Sequence, residues 1–204
     1  MSKSIILGIT GASGAIYARE TLRALDADAR VERVHLVVTE TGMRLLTSEL
    51  GINAADSKSL PALITGSTAA KIQYMQNKDV GASIASGSFS VDAMVVIPCS
   101  VGTLADIACG TAGDLLARSA DVCLKEGRRL VLCIRETPLN RIHLENMLRA
   151  QSAGATIMPA MPSFYHLPKT IDDLVQQFVY RVLAQIDLPQ EKAYRWTGAD
   201  ARKT

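Results

Sequence analysis

One apolar run, stopped abruptly by small residues near the start of the chain, constrains the fold most. Ile5-Ile6-Leu7-Gly8-Ile9 is followed at once by Thr10-Gly11-Ala12-Ser13-Gly14-Ala15, and a helical pattern starts at about Ser13. A strand buried on both faces reads as a continuous apolar run, and a turn of Gly, Ala and Ser can lead it directly into a helix. Such a turn has a chemical use. The first N–H groups of a helix have no internal partners, and they lie at the positive end of its dipole. Without bulky side chains in the way, a phosphate approaches them closely. Ser13 either adds a hydroxyl or caps the helix. Gly8, Gly11 and Gly14 do not match the Gly-x-Gly-x-x-Gly dinucleotide fingerprint. The spacing therefore leaves phosphate binding and plain helix–strand packing both open.

The same alternation recurs along the chain. Ile16, Tyr17, Thr21, Leu22 and Leu25 form one face of a helix, and residues 31–39 carry a second strand that ends at Thr39. A helix is expected at 40–50, loops and a short edge strand at 71–75 within 51–80, and a small-residue stretch at 81–88. Strands follow at 93–97, 130–134 and 155–158, with helices from Ser100, at 114–126, at 139–153 and at 171–186. The pattern predicts an α/β fold: a three-layer, doubly wound, mostly parallel sheet of Rossmann/flavodoxin-like type with right-handed crossovers. Residues 1–188 form one domain, and 189–204 form a polar tail carrying Tyr194 and Trp196. Hydrophobic residues make up 48% and aromatics 4%, so the core is aliphatic.

Composition excludes several functions. A net charge of +2 without a Lys/Arg block does not describe a nucleic-acid-binding surface. Cys99, Cys109, Cys123 and Cys133 form no Cys-x-x-Cys pair and lie in apolar or helical patterns, so buried free thiols in a reducing cytoplasm are expected. Met1-Ser2-Lys3-Ser4 leads straight into the first strand, leaving no room for a signal peptide. No apolar run approaches the roughly 20 residues of a membrane span. His35, His143 and His166 lack metal-ligand spacing, and no metal is expected. Ser13, Ser86 and Ser100 have no recognisable His/Asp partners for a hydrolase triad.

In doubly wound sheets ligands bind beyond the carboxyl ends of the strands. Four polar groups follow strands directly: Gly11, Ala12 and Ser13; Thr39; Ser100, Val101, Gly102 and Thr103; and Arg135 with Glu136. Ser100 and Thr103 either bind an anion or cap a helix. Arg135 and Glu136 are either a surface ion pair or a phosphate- or flavin-binding cation beside a proton carrier. Lys125, with Arg118 seven residues earlier, is either a solvated helix end or half of a dianion site. Tyr165 and Trp196 either pack the terminus or, with Arg181, hold an apolar phosphoester.

Several of these stretches, read together and in order, resemble the flavin prenyltransferases of the UbiX family over nearly the full length. They are Thr10-Gly11-Ala12-Ser13-Gly14-Ala15, Ala85-Ser86-Gly87-Ser88, Pro98-Cys99-Ser100-Val101-Gly102-Thr103-Leu104, Ala120-Asp121-Val122-Cys123-Leu124-Lys125-Glu126, Arg135-Glu136-Thr137-Pro138 and Phe164-Tyr165-His166. Gly127 departs from the Arg expected in relatives, outside the proposed contacts. The resemblance implies an enzyme that binds reduced FMN and dimethylallyl monophosphate, joins the prenyl group to flavin N5 and C6 without a metal, and serves a UbiD-type decarboxylase. By position it implies FMN contacts from Gly11, Ala12, Ser13, Thr39, Ser100, Val101, Gly102, Thr103 and Arg135. It implies that Lys125, Glu136, Tyr165 and Arg181 hold the prenyl phosphate, with Arg118 as a further candidate. Glu49 falls near the site, Ala85 and Ser86 lie against flavin and prenyl group, and Trp196 in the tail covers the apolar pocket. Glu136, Lys125 and Ser13 are the expected catalytic residues. A cytoplasmic homo-oligomer is implied, a dodecamer with sites at subunit contacts.

Two other classes share the fold expectation. A flavin-dependent decarboxylase of a cysteine-containing, peptide-like acid would use a catalytic His after the first helix region, where His35 is the nearest candidate. A flavodoxin-like electron carrier would need neither Lys125 nor Arg181.

Overall fold

The apolar run at residues 5–9 lies at the centre of a six-stranded parallel sheet. In the computed structural model, which describes residues 2–53 and 58–198, it belongs to β1 (Lys3–Ile9). The other strands are β2 (Val31–Val38), β3 (Ile72–Gln76), β4 (Ala93–Cys99), β5 (Arg129–Ile134) and β6 (Thr156–Ile157). Their order is β3-β2-β1-β4-β5-β6, so the direction of winding reverses between β1 and β4. Ile5, Leu7 and Ile9 face one apolar layer and Ile6 the other. That two-sided burial is why β1 carries no polar alternation.

The first layer holds α1 (Ala15–Ala27), α2 (Glu40–Leu50), α3 (Leu60–Thr65) and α7 (Ile171–Gln185). Tyr17 and Phe178 meet edge-on there, with ring centres 5.0 Å apart. The second holds α4 (Val101–Cys109), α5 (Leu115–Lys125) and α6 (Arg141–Ser152). A Cβ on Gly8 would lie 2.9 Å from Leu116 Cδ1, so this glycine serves the close approach of α5 to the sheet.

Three details differ from the sequence expectation. α1 starts at Ala15 rather than Ser13, because Gly14 has φ 121°, outside helical geometry. α3 forms inside the stretch read as loops: Pro61 sits in its first turn, and Gly66, at φ 71°, ends it. The apparent breakers are therefore a helix start and stop. Cys109 is exposed at the end of α4, whereas Cys99, Cys123 and Cys133 are buried. Burial pushes those three thiols up, Cys123 to about 12. Among the described residues no helix is long and apolar enough to cross a membrane. Residues 199–204 of the expected tail lie outside the described residues.

Candidate active site at the strand ends

The turns after β1, β2, β4 and β5 are joined to one another by hydrogen bonds. The Thr10 hydroxyl donates to the Pro98 carbonyl (2.8 Å) and accepts from the Ser100 N–H (2.8 Å). The Thr39 N–H donates to the Ile9 carbonyl (3.0 Å), and the Arg135 N–H to the Cys99 carbonyl (3.1 Å). Gly11, Ala12, Ser13, Thr39, Ser100, Val101, Gly102, Thr103 and Arg135 thus share one edge, flanking the β1/β4 reversal. That is where doubly wound sheets bind ligands.

The capping reading holds for Ser100 and fails for Ser13, because Gly14 is the N-cap of α1 and carries no side chain; Thr39 is a further cap. Thr39 accepts from the Gly42 N–H (3.0 Å) at the start of α2, and Ser100 accepts from the Thr103 N–H (3.3 Å) at the start of α4. Gly11 has a tighter role. A Cβ there would stand 2.5 Å from Thr41 Cβ, so only glycine lets the β1 turn pass the first turn of α2. Thr10 and Thr41 were not singled out by sequence. Thr10 had a readable signal, a polar residue ending an apolar strand.

The N-terminus of α1 already holds an anion. The Glu49 carboxylate, from the last turn of α2, accepts from the N–H groups of Ala15 (2.8 Å) and Gly14 (3.0 Å). Burial pushes the Glu49 carboxyl up. The Ser13 hydroxyl, those two N–H groups and the Arg135 charge outweigh burial and hold it below its ordinary value. In this arrangement the α1 N–H groups of Gly14 and Ala15 are satisfied from within the protein. The neighbouring backbone at Gly11, Ala12 and Ser13, and the α4 start, face the edge.

Arg135 is half-buried, and its buried Nε has no hydrogen-bond partner among the described residues. A buried donor left unpaired is costly, so an acceptor from a ligand would improve this site. Glu136 beside it accepts from the Thr137 N–H (3.0 Å).

The remaining candidates form two further groups. Arg118 Nε donates to the Ala85 carbonyl (3.2 Å) and Arg128 Nη2 to the Gly87 carbonyl (2.6 Å). Arg118 pairs with Asp121 (3.0 Å) and Lys125 with Glu126 (3.0 Å). Ala85, Ser86, Arg118 and Lys125 therefore line α5. Lys125 lies toward the strand starts, where Arg129 pairs with Ala93, and away from Glu136 at the strand ends. Tyr165 is exposed in the loop before α7 and stacks edge-on against Trp196, with centres 5.6 Å apart. Arg181 is exposed on α7, one turn before Gln185, whose carbonyl accepts from Arg129 at the strand starts. One chain brings together the flavin-edge candidates, Glu49 and Glu136, but not the whole prenyl-phosphate set. A groove of about 660 Å³ between α1 and α7, lined by Glu20, Arg23, Asp28 and Tyr180 among others, involves none of these residues.

Comparison with known proteins decides the family. The Flavoprotein family model matches residues 1–183. The flavin prenyltransferase UbiX of Halalkalibacterium halodurans is 47% identical over 190 residues, 93% of this chain and 91% of that protein. This chain belongs to the UbiX flavin prenyltransferase family. UbiX of Thauera aromatica is 42% identical over 200 residues, 98% of this chain and 96% of that protein. The crystal structure of AnUbiX in complex with FMN and dimethylallyl pyrophosphate superposes with a TM-score of 0.85 at 39% identity, covering 97% of this chain and 99% of that one. A dodecameric FMN-dependent UbiX-like decarboxylase from Escherichia coli also gives 0.85, at 42% identity, covering 96% and 100%. The cypemycin decarboxylase CypD, at 15% identity and TM-score 0.60, shares the fold alone. His35, the candidate for a decarboxylase histidine, is 2% exposed within β2 and edge-on to Phe89 at 5.4 Å. It is a packed core side chain.

Proposed function

We propose that the chain transfers a dimethylallyl group from dimethylallyl monophosphate to N5 and C6 of reduced FMN, and that the prenylated FMN serves a UbiD-type decarboxylase. The observation that carries this reading is the unpartnered Arg135 Nε at a strand-end edge built of small residues and capped helix starts. The residues suit FMN: Gly11 lets the β1 turn pack against α2, the Ser100 hydroxyl donates to Thr103 Oγ1 (3.1 Å) so that the Thr103 hydroxyl proton is left for a ligand, and Arg135 offers a donor. Full-length relatives named for this activity support the same reading.

Reduced FMN supplies the nucleophilic N5 and C6. The side chains have three tasks. When the allylic C–O bond breaks, its electron pair leaves on the phosphate, and Lys125, Arg118 and Arg181 stabilise that dianion. The Tyr165 and Trp196 rings face the delocalised allylic cation with their π faces and keep water from quenching it. Glu136, or the departed phosphate, would carry the proton that moves as the new ring closes, and Ser13, held beside the Glu49 carboxylate, would orient the acceptor face. Lys125 and Arg118, Glu136, and Tyr165 and Arg181 occupy separate parts of one chain, so neighbouring copies in a homo-oligomer, a dodecamer by analogy, complete the site.

Anaerobic incubation with reduced FMN and dimethylallyl monophosphate, followed by mass spectrometry, is the test. A flavin heavier by one C5 unit is expected, formed slowly by Glu136→Gln although that variant still binds FMN. Unchanged flavin mass under turnover conditions refutes the function, and normal turnover by Glu136→Gln removes Glu136 from the chemistry.

A further inference from the structure

Gln177 lies midway along α7, and its side-chain amide grips the tail backbone twice. Its Nε2 donates to the Lys192 carbonyl (3.1 Å), and its Oε1 accepts from the Tyr194 N–H (2.8 Å). The tail leaves α7 beside the strand starts, where Arg129 Nη1 donates to the Gln185 carbonyl (3.2 Å). Arg30 then pins it at the Pro189 carbonyl (3.0 Å), and Gln190 pins it to Asp28 (3.0 Å). From there it runs back along α7 to the loop that precedes this helix. At that end the Tyr194 ring stands 6.2 Å from His166, and Trp196 meets Tyr165. Tyr165 is 70% exposed and Trp196 56%, so the stacked pair is open to solvent on its other sides.

We propose that Gln177 is a positioning residue: by holding the tail at Lys192 and Tyr194 it sets Trp196 against Tyr165 and fixes both rings for the allylic phosphate. The assignment rests on the function proposed above, which gives Tyr165 its substrate. The physical argument is one of order. Two weakly packed aromatic rings, distant in sequence, hold one geometry only if the backbone beneath them is fixed, and an amide bonded in two directions fixes it. Gln177 touches no reacting atom. Its effect reaches substrate through the tail alone.

Trp196 is the only tryptophan in the chain, so intrinsic fluorescence reports the tail directly. Gln177→Met keeps the volume and the helix propensity and removes both bonds. Gln177→Glu keeps an acceptor for the Tyr194 N–H. In the assembled protein, Gln177→Met should shift Trp196 emission to the red and raise acrylamide quenching about twofold. It should also raise KM for dimethylallyl monophosphate about fivefold, with kcat and FMN affinity nearly unchanged. Gln177→Glu should fall between parent and Gln177→Met in quenching and in KM. Parent-like emission and quenching in Gln177→Met overturn the proposed grip. A loosened Trp196 with parent KM overturns the link to Tyr165. A parent chain inert toward that substrate refutes the function and with it the link, while the quenching difference still decides whether Gln177 holds the tail.

Discussion

Replacing Glu49 tests the account of the strand-end edge most directly, because that carboxylate occupies the start of α1. It accepts from Ala15 N–H at 2.8 Å and Gly14 N–H at 3.0 Å. Hydrogen bonds to a charged group contribute about 1.5–3 kcal/mol, and water replaces part of that at an accessible helix end. The charge–dipole attraction alone is about 0.3–1 kcal/mol, rising to about 2 when partly buried. Glu49→Ala should therefore destabilise the protein by about 1–2 kcal/mol at pH 7, and Glu49→Gln, which keeps an acceptor, by about half as much. For a chain of this size that is a fall in Tm of about 2–8 °C for the alanine variant. The assay is calorimetry or urea unfolding without flavin, at one protein concentration so that assembly does not shift the midpoint. A pH series adds a second constraint. The folded Glu49 carboxyl titrates below its ordinary 4.5, so its contribution is complete above that value and is lost as pH falls through the folded one. The gap between parent and Glu49→Gln should narrow as pH falls below 4.5. A Glu49→Ala variant as stable as the parent at pH 7, or a gap that widens in acid, would refute the reasoning.

The remaining predictions concern the same sheet. Burial, then the Arg33 charge, lowers His35 from 6.5 to about 4, so the unfolded chain binds the extra proton between those values. Stability should fall as pH drops from 6.5 toward 4, by up to about 3 kcal/mol, and His35→Phe should flatten that slope in urea titrations. Steeper pH dependence in the variant would contradict it. Gly11→Ala places a Cβ 2.5 Å from Thr41 Cβ; a loss of about 1–3 kcal/mol and weaker FMN binding by titration are expected, and a neutral substitution would show that Thr41 yields freely. Arg135→Met removes a buried unpartnered Nε. Thermal stability should hold or rise, while FMN affinity drops about tenfold or more. Unchanged affinity would exclude Arg135 as a flavin contact.

Much of this architecture was legible beforehand because its signals are local. A strand covered on both faces must be continuously apolar, and the runs at 5–9, 93–97 and 130–134 all became buried inner strands. Helix limits were readable wherever a cap sits next to its helix, as Thr39 and Ser100 do. They slipped at α1, where Gly14 stands at the boundary and the cap arrives from residue 49, and at α3, whose Pro61 and Gly66 read as breakers.

The candidate site divides along the same line. Gly11, Ser13, Thr39, Ser100 and Arg135 could be found in the sequence because each follows a strand directly, and a parallel sheet brings all strand ends to one edge. Tertiary structure decided what surrounds them. It put the Glu49 carboxylate on the α1 N–H groups, assigned Gly8 to helix packing, and left Arg135 Nε without a partner. It also separated Lys125, Glu136 and Arg181, which the resemblance assigns together to the prenyl phosphate but which lie at the end of α5, after β5 and on α7. Period and punctuation act between neighbours in the chain, so the sequence alone determined the strands, the helices and the edge that carries the candidate site. Which donors on that edge remain free depends on contacts between residues 34 and more positions apart, and only the folded chain decides those.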